Sequence, residues 1–71
     1  MLNGLKQLRD RRLLTQGQVA SMSGVSVATL SRIENGRVVP KYKTLRAIAE
    51  SLRLPVETVR EVILSEQSSF V

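Results

Sequence analysis

The chain has 71 residues, with eleven Lys and Arg against six Asp and Glu, a net charge of +5 and a pI near 10.8. It contains neither Cys nor His, which excludes disulfides and thiolate chemistry and removes the commonest general base and metal ligand. One small domain is expected, whose core needs tight helix packing or a partner subunit to be stable.

No apolar run reaches the length of a membrane span and no signal-peptide pattern opens the chain, so the expectation is a cytoplasmic protein with no membrane partner. A basic surface attracts polyanions. Tyr42 and Phe70 are the only aromatics, too few for single-strand or RNA recognition by base stacking. Asp10, Glu34, Glu50, Glu57, Glu61 and Glu66 form no catalytic pair, and no phosphate-binding glycine loop or metal-ligand spacing occurs. No enzyme, cofactor, metal or small-molecule ligand is therefore expected.

Apolar spacing is helical nearly throughout, and five short helices are predicted. The first covers Leu2 to Arg12, with Leu5 and Leu8 inward and Lys6, Asp10 and Arg11 in water. The second opens at Thr15, where Thr15 and Gln18 fit a capping box. Val19 and Ala20 point inward, and Gly24 ends the helix in a left-handed conformation. Ser26 caps the third, Val27 to Asn35, whose inner face is Leu30 and Ile33; Asn35-Gly36 closes it. Arg37 to Lys41 is a loop, with Pro40 holding Val39 extended. The fourth runs from Tyr42 to Leu52, with Leu45, Ile48, Ala49 and Leu52 on one face. Pro55 starts the fifth, with Val56, Val59 and Ile63 inward. The expected domain covers 1–64, followed by a polar, fraying tail over 65–71.

The segment Thr15 to Gly36 carries the functional signal. Two short helices meet at a tight turn at Gly24-Val25, and Ala20, small and central in the first, lets the second cross closely at a steep angle. On the second, Val27, Ala28, Ser31, Arg32 and Asn35 share the face opposite Leu30 and Ile33. That face holds no acid, several short side chains and one long Arg, a shape and charge suited to a major groove. Arg32, Arg37, Lys41, Lys43 and Arg46 concentrate the basic charge, with Glu34 alone opposing them.

Thr15-Gln16 through Val19-Ala20, Gly24-Val25-Ser26 and Leu30-Ser31-Arg32-Ile33-Glu34-Asn35-Gly36 resemble the phage Cro/repressor helix-turn-helix family, also called the XRE family. The resemblance runs from Leu5 to Val59 and takes in the Pro40 loop and the Thr44-Leu45 and Ile48-Ala49 pairs. It implies an all-α, five-helix, lambda-repressor-like domain with the helix-turn-helix at helices 2 and 3. It also implies a repressor-type regulator that binds double-stranded DNA at a near-palindromic operator, in the nucleoid, with helix 3 in the major groove.

The implied roles follow position by position. Val27, Ala28 and Arg32 match base-reading positions, and Ser31 one near bases or backbone. Gln16 matches a phosphate contact at the start of helix 2. Asn35, Arg37 and Lys41 match backbone-contacting positions, and Lys43 is close enough to join them. Arg9 and Glu34 match an internal ion pair joining helix 1 to the end of helix 3; the bland alternative leaves Glu34 on a solvated face. Val62, Leu64, Phe70 and Val71 are left for either a homodimer contact through helix 5 and the C-terminal region, as in relatives, or an exposed tail.

Three positions depart from the family pattern. Val27 and Ala28 stand where many relatives carry Gln, Arg or Ser, so they offer thymine-methyl contacts or are merely tolerated; Arg32 then reads guanine or binds phosphate, and DNA shape carries more of the specificity. Gly17 replaces a better helix former. Lys41 stands where relatives place a Ser cap. Two alternatives to a repressor remain: an activator, and a protein-interaction module that keeps the fold without operator binding.

Overall fold

The helix boundaries follow from capping chemistry. The computed structural model describes residues 4–68. These form α1 (Gly4–Arg11), α2 (Gln16–Ser23), α3 (Val27–Glu34), α4 (Tyr42–Leu52) and α5 (Val56–Ser68), with no strand among the described residues. At the start of α2 the Gln18 amide donates to Thr15 Oγ1 at 3.1 Å and the Thr15 amide to Gln18 Oε1 at 2.7 Å, the reciprocal capping box. Ser26 caps α3 by accepting from the Thr29 amide at 3.0 Å.

The first four helices all end in the same way. In each, one amide reaches back five residues and the amide before it reaches back three. Leu14 and Leu13 donate to the carbonyls of Arg9 and Asp10, Val25 and Gly24 to those of Ala20 and Ser21, Arg37 and Gly36 to those of Arg32 and Ile33, and Leu54 and Arg53 to those of Ala49 and Glu50. This is the Schellman closure, which requires a left-handed residue at its centre. Gly24 and Gly36 supply it with φ of 72° and 73°, but Leu13 and Arg53 occupy the same conformation with φ of 58° and 56°. Leu14, Val25 and Leu54, just beyond three of these closures, pack against the core. A closing apolar contact is the usual companion of the motif.

One apolar cluster joins all five helices: Leu5, Val19, Ala20, Leu30, Ile33, Leu45, Ile48, Ala49, Leu52, Val59 and Ile63 are all buried. Each Leu, Ile or Val so buried contributes about 1.5–3 kcal/mol. α4 packs against both α2 and α5, and α1 packs against α5 and α3. The helix-turn-helix unit α2–α3 is thus backed by α4 and α1 and exposes the far side of α3.

Boundaries differ from expectation at three helices. The expected start of helix 1 at Leu2 lies outside the described residues, and its end falls at Arg11 because the closure begins there. α3 ends at Glu34, with Asn35 as its C-cap. α5 continues through Ser68, where a fraying tail was expected from Ser65. Residues Ser65 to Ser68 include neither Gly nor Pro, while Glu and Gln are good helix formers, so nothing local stops the helix.

Leu13 is 90% exposed, so its left-handed backbone has no compensating side-chain burial. Leu13→Gly is expected to stabilise the domain by about 1 kcal/mol, the usual penalty for a side chain in this region. In thermal denaturation that corresponds to a rise of about 4–8 °C for a domain this small.

Candidate nucleic-acid interface

The outer face of α3 is assembled by a short chain of local causes. Gly24 turns the backbone, Val25 anchors the turn to the core, and the Ser26 cap fixes the direction in which α3 leaves. With Leu30 and Ile33 buried, Val27, Ala28, Arg32 and Asn35 are exposed and Ser31 is half-buried. The five residues named from the sequence therefore do share one accessible face. Asn35 Nδ2 leans back to Ser31 Oγ at 3.4 Å, which draws two of the polar groups on this face toward each other. Val27, about half exposed at 49%, presents apolar surface to solvent.

Beyond α3, Gly36 leads into a stretch where Arg37, Val38, Val39 and Lys41 are all exposed. Lys41 occupies the N-cap position of α4 with extended backbone and makes no side-chain cap hydrogen bond. Lysine has no acceptor to offer the first amides of α4, and an external anion can take that place. Among the described residues no ion pair engages Arg32, Arg37, Lys41 or Lys43, whereas Arg46 approaches Glu50 at 3.9 Å. Arg46 and Glu50 are both exposed, so their pairing is weak. Arg46 nonetheless contributes less unopposed charge than the sequence suggested.

Behind this face lies a buried polar node. Arg9 Nε donates to Glu34 Oε2 at 2.8 Å and Arg9 Nη2 to Glu34 Oε1 at 3.2 Å, with Arg9 only 7% and Glu34 4% exposed. Arg9 Nη1 also donates to the Leu14 carbonyl at 3.1 Å. Gln16 completes the node: its Nε2 donates to Glu34 Oε1 at 3.1 Å. The bond to Glu34, reinforced by the negative charge of Glu34 and Asp10, holds the Arg9 pKa above its ordinary value against the opposing effect of burial. The same contacts thus favour the charged guanidinium that the buried Glu34 carboxylate requires.

The sequence singles out Arg9, Gln16 and Glu34, but as two unrelated features, an ion pair and a phosphate contact. It does not announce their meeting. Gln16 and Glu34 are eighteen residues apart in different helices, and no local spacing encodes that contact. Gly17, beside Gln16, has room for a methyl group, since a Cβ there would sit 3.9 Å from Thr15 Oγ1 in ordinary contact. The glycine is thus not required by packing within the chain.

The node makes a stability prediction. Arg9→Met leaves the Glu34 carboxylate buried without its cation and is expected to cost about 3–5 kcal/mol. Adding Glu34→Leu should restore most of the loss, because the charge and its burial penalty go together. Urea denaturation of the single and double variants measures both; a double variant no more stable than Arg9→Met would contradict the electrostatic origin of the loss.

A family model described as helix-turn-helix matches residues 5–59. The chain is 54% identical over 54 residues, 75% of its own length, to the HTH-type transcriptional repressor RghR of Bacillus subtilis (strain 168), and that match covers 40% of the relative. It is 33% identical over 67 residues to the immunity repressor protein of Bacillus phage phi105, covering 92% of this chain and 46% of that protein. It is also 34% identical over 68 residues to the ImmF control region 10 kDa protein of the same phage, covering 93% and 76%. The chain spans about two fifths of the length of the first two curated relatives it matches. No solved structure is significantly similar to it.

Proposed function

The chain belongs to the phage Cro/repressor-type (XRE) helix-turn-helix family of transcriptional regulators, and from that premise we propose that it represses transcription by binding operator DNA as a homodimer, α3 entering the major groove. The observation that carries the reading is the outer side of α3, exposed and free of acids, beside the exposed cations Arg37, Lys41 and Lys43. In this reading Val27 and Ala28 contact thymine methyls, Ser31 and Arg32 face base edges, and Gln16, Asn35, Arg37, Lys41 and Lys43 follow the phosphates. The uncapped start of α4 takes a phosphate oxygen on its first amides, with Lys41 adding charge. The protein acts as a double-stranded-DNA-binding protein in the nucleoid, without catalysis. Among the described residues no helix is long and apolar enough to cross a membrane.

A mobility shift with random-sequence duplex, titrated with salt, tests the first half of the proposal. Binding should weaken steeply as salt rises, and Lys41→Ser should reduce the log–log slope by about 1, as expected when one phosphate is no longer neutralised. An unchanged slope removes Lys41 from the interface. Failure of the wild-type chain to shift any duplex at low salt would favour the interaction-module alternative. Selection of bound duplexes from a random pool then reports the site. With Arg32→Ala, relaxed preference at one base pair indicates guanine contact, and uniform weakening indicates phosphate.

Dimerisation is proposed through α5 and the segment before α4. Val39, Tyr42 and Leu64 are exposed apolar side chains around a shallow groove that also involves Pro40, Leu45, Arg60 and Ile63. Of the residues that the sequence left for a dimer contact or an exposed tail, Val62 is half-buried and Leu64 exposed, while Phe70 and Val71 lie outside the described residues. A two-fold pair would set two α3 helices about 34 Å apart, one turn of DNA. Sedimentation should show a concentration-dependent dimer that Leu64→Asp abolishes. Monomers alone at high concentration, with and without duplex, would refute it.

A further inference from the structure

We infer that Glu34 is a positioning residue for duplex binding: it orients the Gln16 side-chain amide in the free protein, so that Gln16 bridges a buried carboxylate to a DNA phosphate. The inference rests on the duplex-binding reading above and deepens it by explaining how one of its backbone contacts is set.

The geometry points to this assignment in three steps. Gln16 is half-buried at the start of α2, and its Nε2 donates to Glu34 Oε1 at 3.1 Å. A carboxylate has only acceptors, so this contact fixes which way round the Gln16 amide sits: nitrogen toward Glu34, carbonyl away. The amide nitrogen carries two hydrogens, and one remains for a second acceptor. A phosphate oxygen is such an acceptor, and the helix N-terminus beside Gln16 favours it.

Glu34 can do this only because it is neutralised. An unpaired carboxylate near the phosphates would repel them, but Arg9 donates to both of its oxygens, at 2.8 Å and 3.2 Å. Arg9 is itself held by the Leu14 carbonyl, two residues before Gln16, at 3.1 Å. The acceptor that orients Gln16 and the backbone that carries it are thus tied to one guanidinium. A glutamine free to turn would lose rotamer freedom on binding; one already held loses little. The residue type follows as well. Asn is shorter by a methylene, and Glu would be repelled by Glu34 and phosphate alike.

A double-mutant cycle over Gln16→Met and Glu34→Gln tests the inference, with dissociation constants for a random-sequence 20-base-pair duplex at fixed low salt and urea denaturation of every variant. Glutamine at position 34 keeps one acceptor for Arg9 but presents an amide nitrogen as well, which favours the flipped Gln16 amide. Each single change is expected to weaken duplex binding by about fivefold to tenfold, the range for one ordinary hydrogen bond. The double variant should bind distinctly less weakly than the product of the two single factors, because the part of the Glu34 effect that runs through Gln16 is already lost in Gln16→Met. Factors that multiply in the double variant overturn the inference while leaving duplex binding intact. A wild-type chain that binds no duplex overturns the duplex-binding reading and the inference with it.

If Glu34→Gln proves too unstable to assay, the wild-type side-chain amide resonances of Gln16 decide. One Nε2 proton protected from exchange with solvent in the free protein, while the other shifts on addition of duplex, supports the assignment. Two Nε2 protons that exchange with solvent as fast as those of an exposed glutamine refute it.

Discussion

The orientation of α3 depends on one buried ion pair. Arg9 and Glu34 join the end of α1 to the last residue of α3, and the same arginine holds the backbone just before α2 through the Leu14 carbonyl. An eight-residue helix is only about 12 Å long, too short for its own hydrogen bonds to define its direction against a neighbour. α3 is instead fixed at both ends, by the Ser26 cap at its start and by Glu34 at its close. Burying a charge pair adds little net stability compared with apolar residues of the same shape. Its directional, two-pronged bonding is what apolar packing of Leu30 and Ile33 could not supply.

That constraint bears on what the exposed face of α3 offers. Val27 and Ala28 bring only methyl groups, and Asn35 leans on Ser31 within the same face. Arg32 is the one long donor. A face so poor in donors gains more from being held still than a face of adaptable glutamines would, because methyl contacts weaken quickly with misplacement. The exposed cations lie beyond it, on the loop and at the start of α4. In the proposed duplex complex, charge supplies attraction there and the α2–α3 unit supplies register.

The parts of this arrangement that are legible in the sequence are local. Thr15 with Gln18, Ser26, Gly24 and Gly36 each declare a helix end within a few residues, because caps and left-handed closures are made by near neighbours. The core stripe of α4 is equally plain, since Leu45, Ile48, Ala49 and Leu52 recur at helical spacing. Leu13 and Arg53 are not legible as closures. Neither residue type signals a left-handed backbone, and only the packing of Leu14 and Leu54 beyond them explains why the chain turns there. The extension of α5 to Ser68 is hidden because polarity resembles a stop, although polar Glu and Gln are themselves good helix formers. The Gln16–Glu34 contact is hidden for a different reason. It exists only once α2 and α3 have crossed, so it is a property of the tertiary structure.

The distribution of the closures follows the same division. The two ends that bound the α2–α3 unit on either side of α3 carry glycine, at Gly24 and Gly36, and are unstrained. The two that carry ordinary side chains, Leu13 and Arg53, lie at one corner of the molecule, where Arg12 Nη2 reaches the Arg53 carbonyl at 3.4 Å. A left-handed leucine or arginine costs about 1–2 kcal/mol each, and such a cost persists only where surrounding structure over-determines the backbone. At this corner the overlap comes from Leu14 and Leu54 in the core and from Arg12 spanning the two turns. Around α3 no such redundancy is needed. A Cβ at Gly24 would meet nothing within 4 Å, so glycine stands there for its backbone freedom, and the turn that sets the direction of α3 forms without strain.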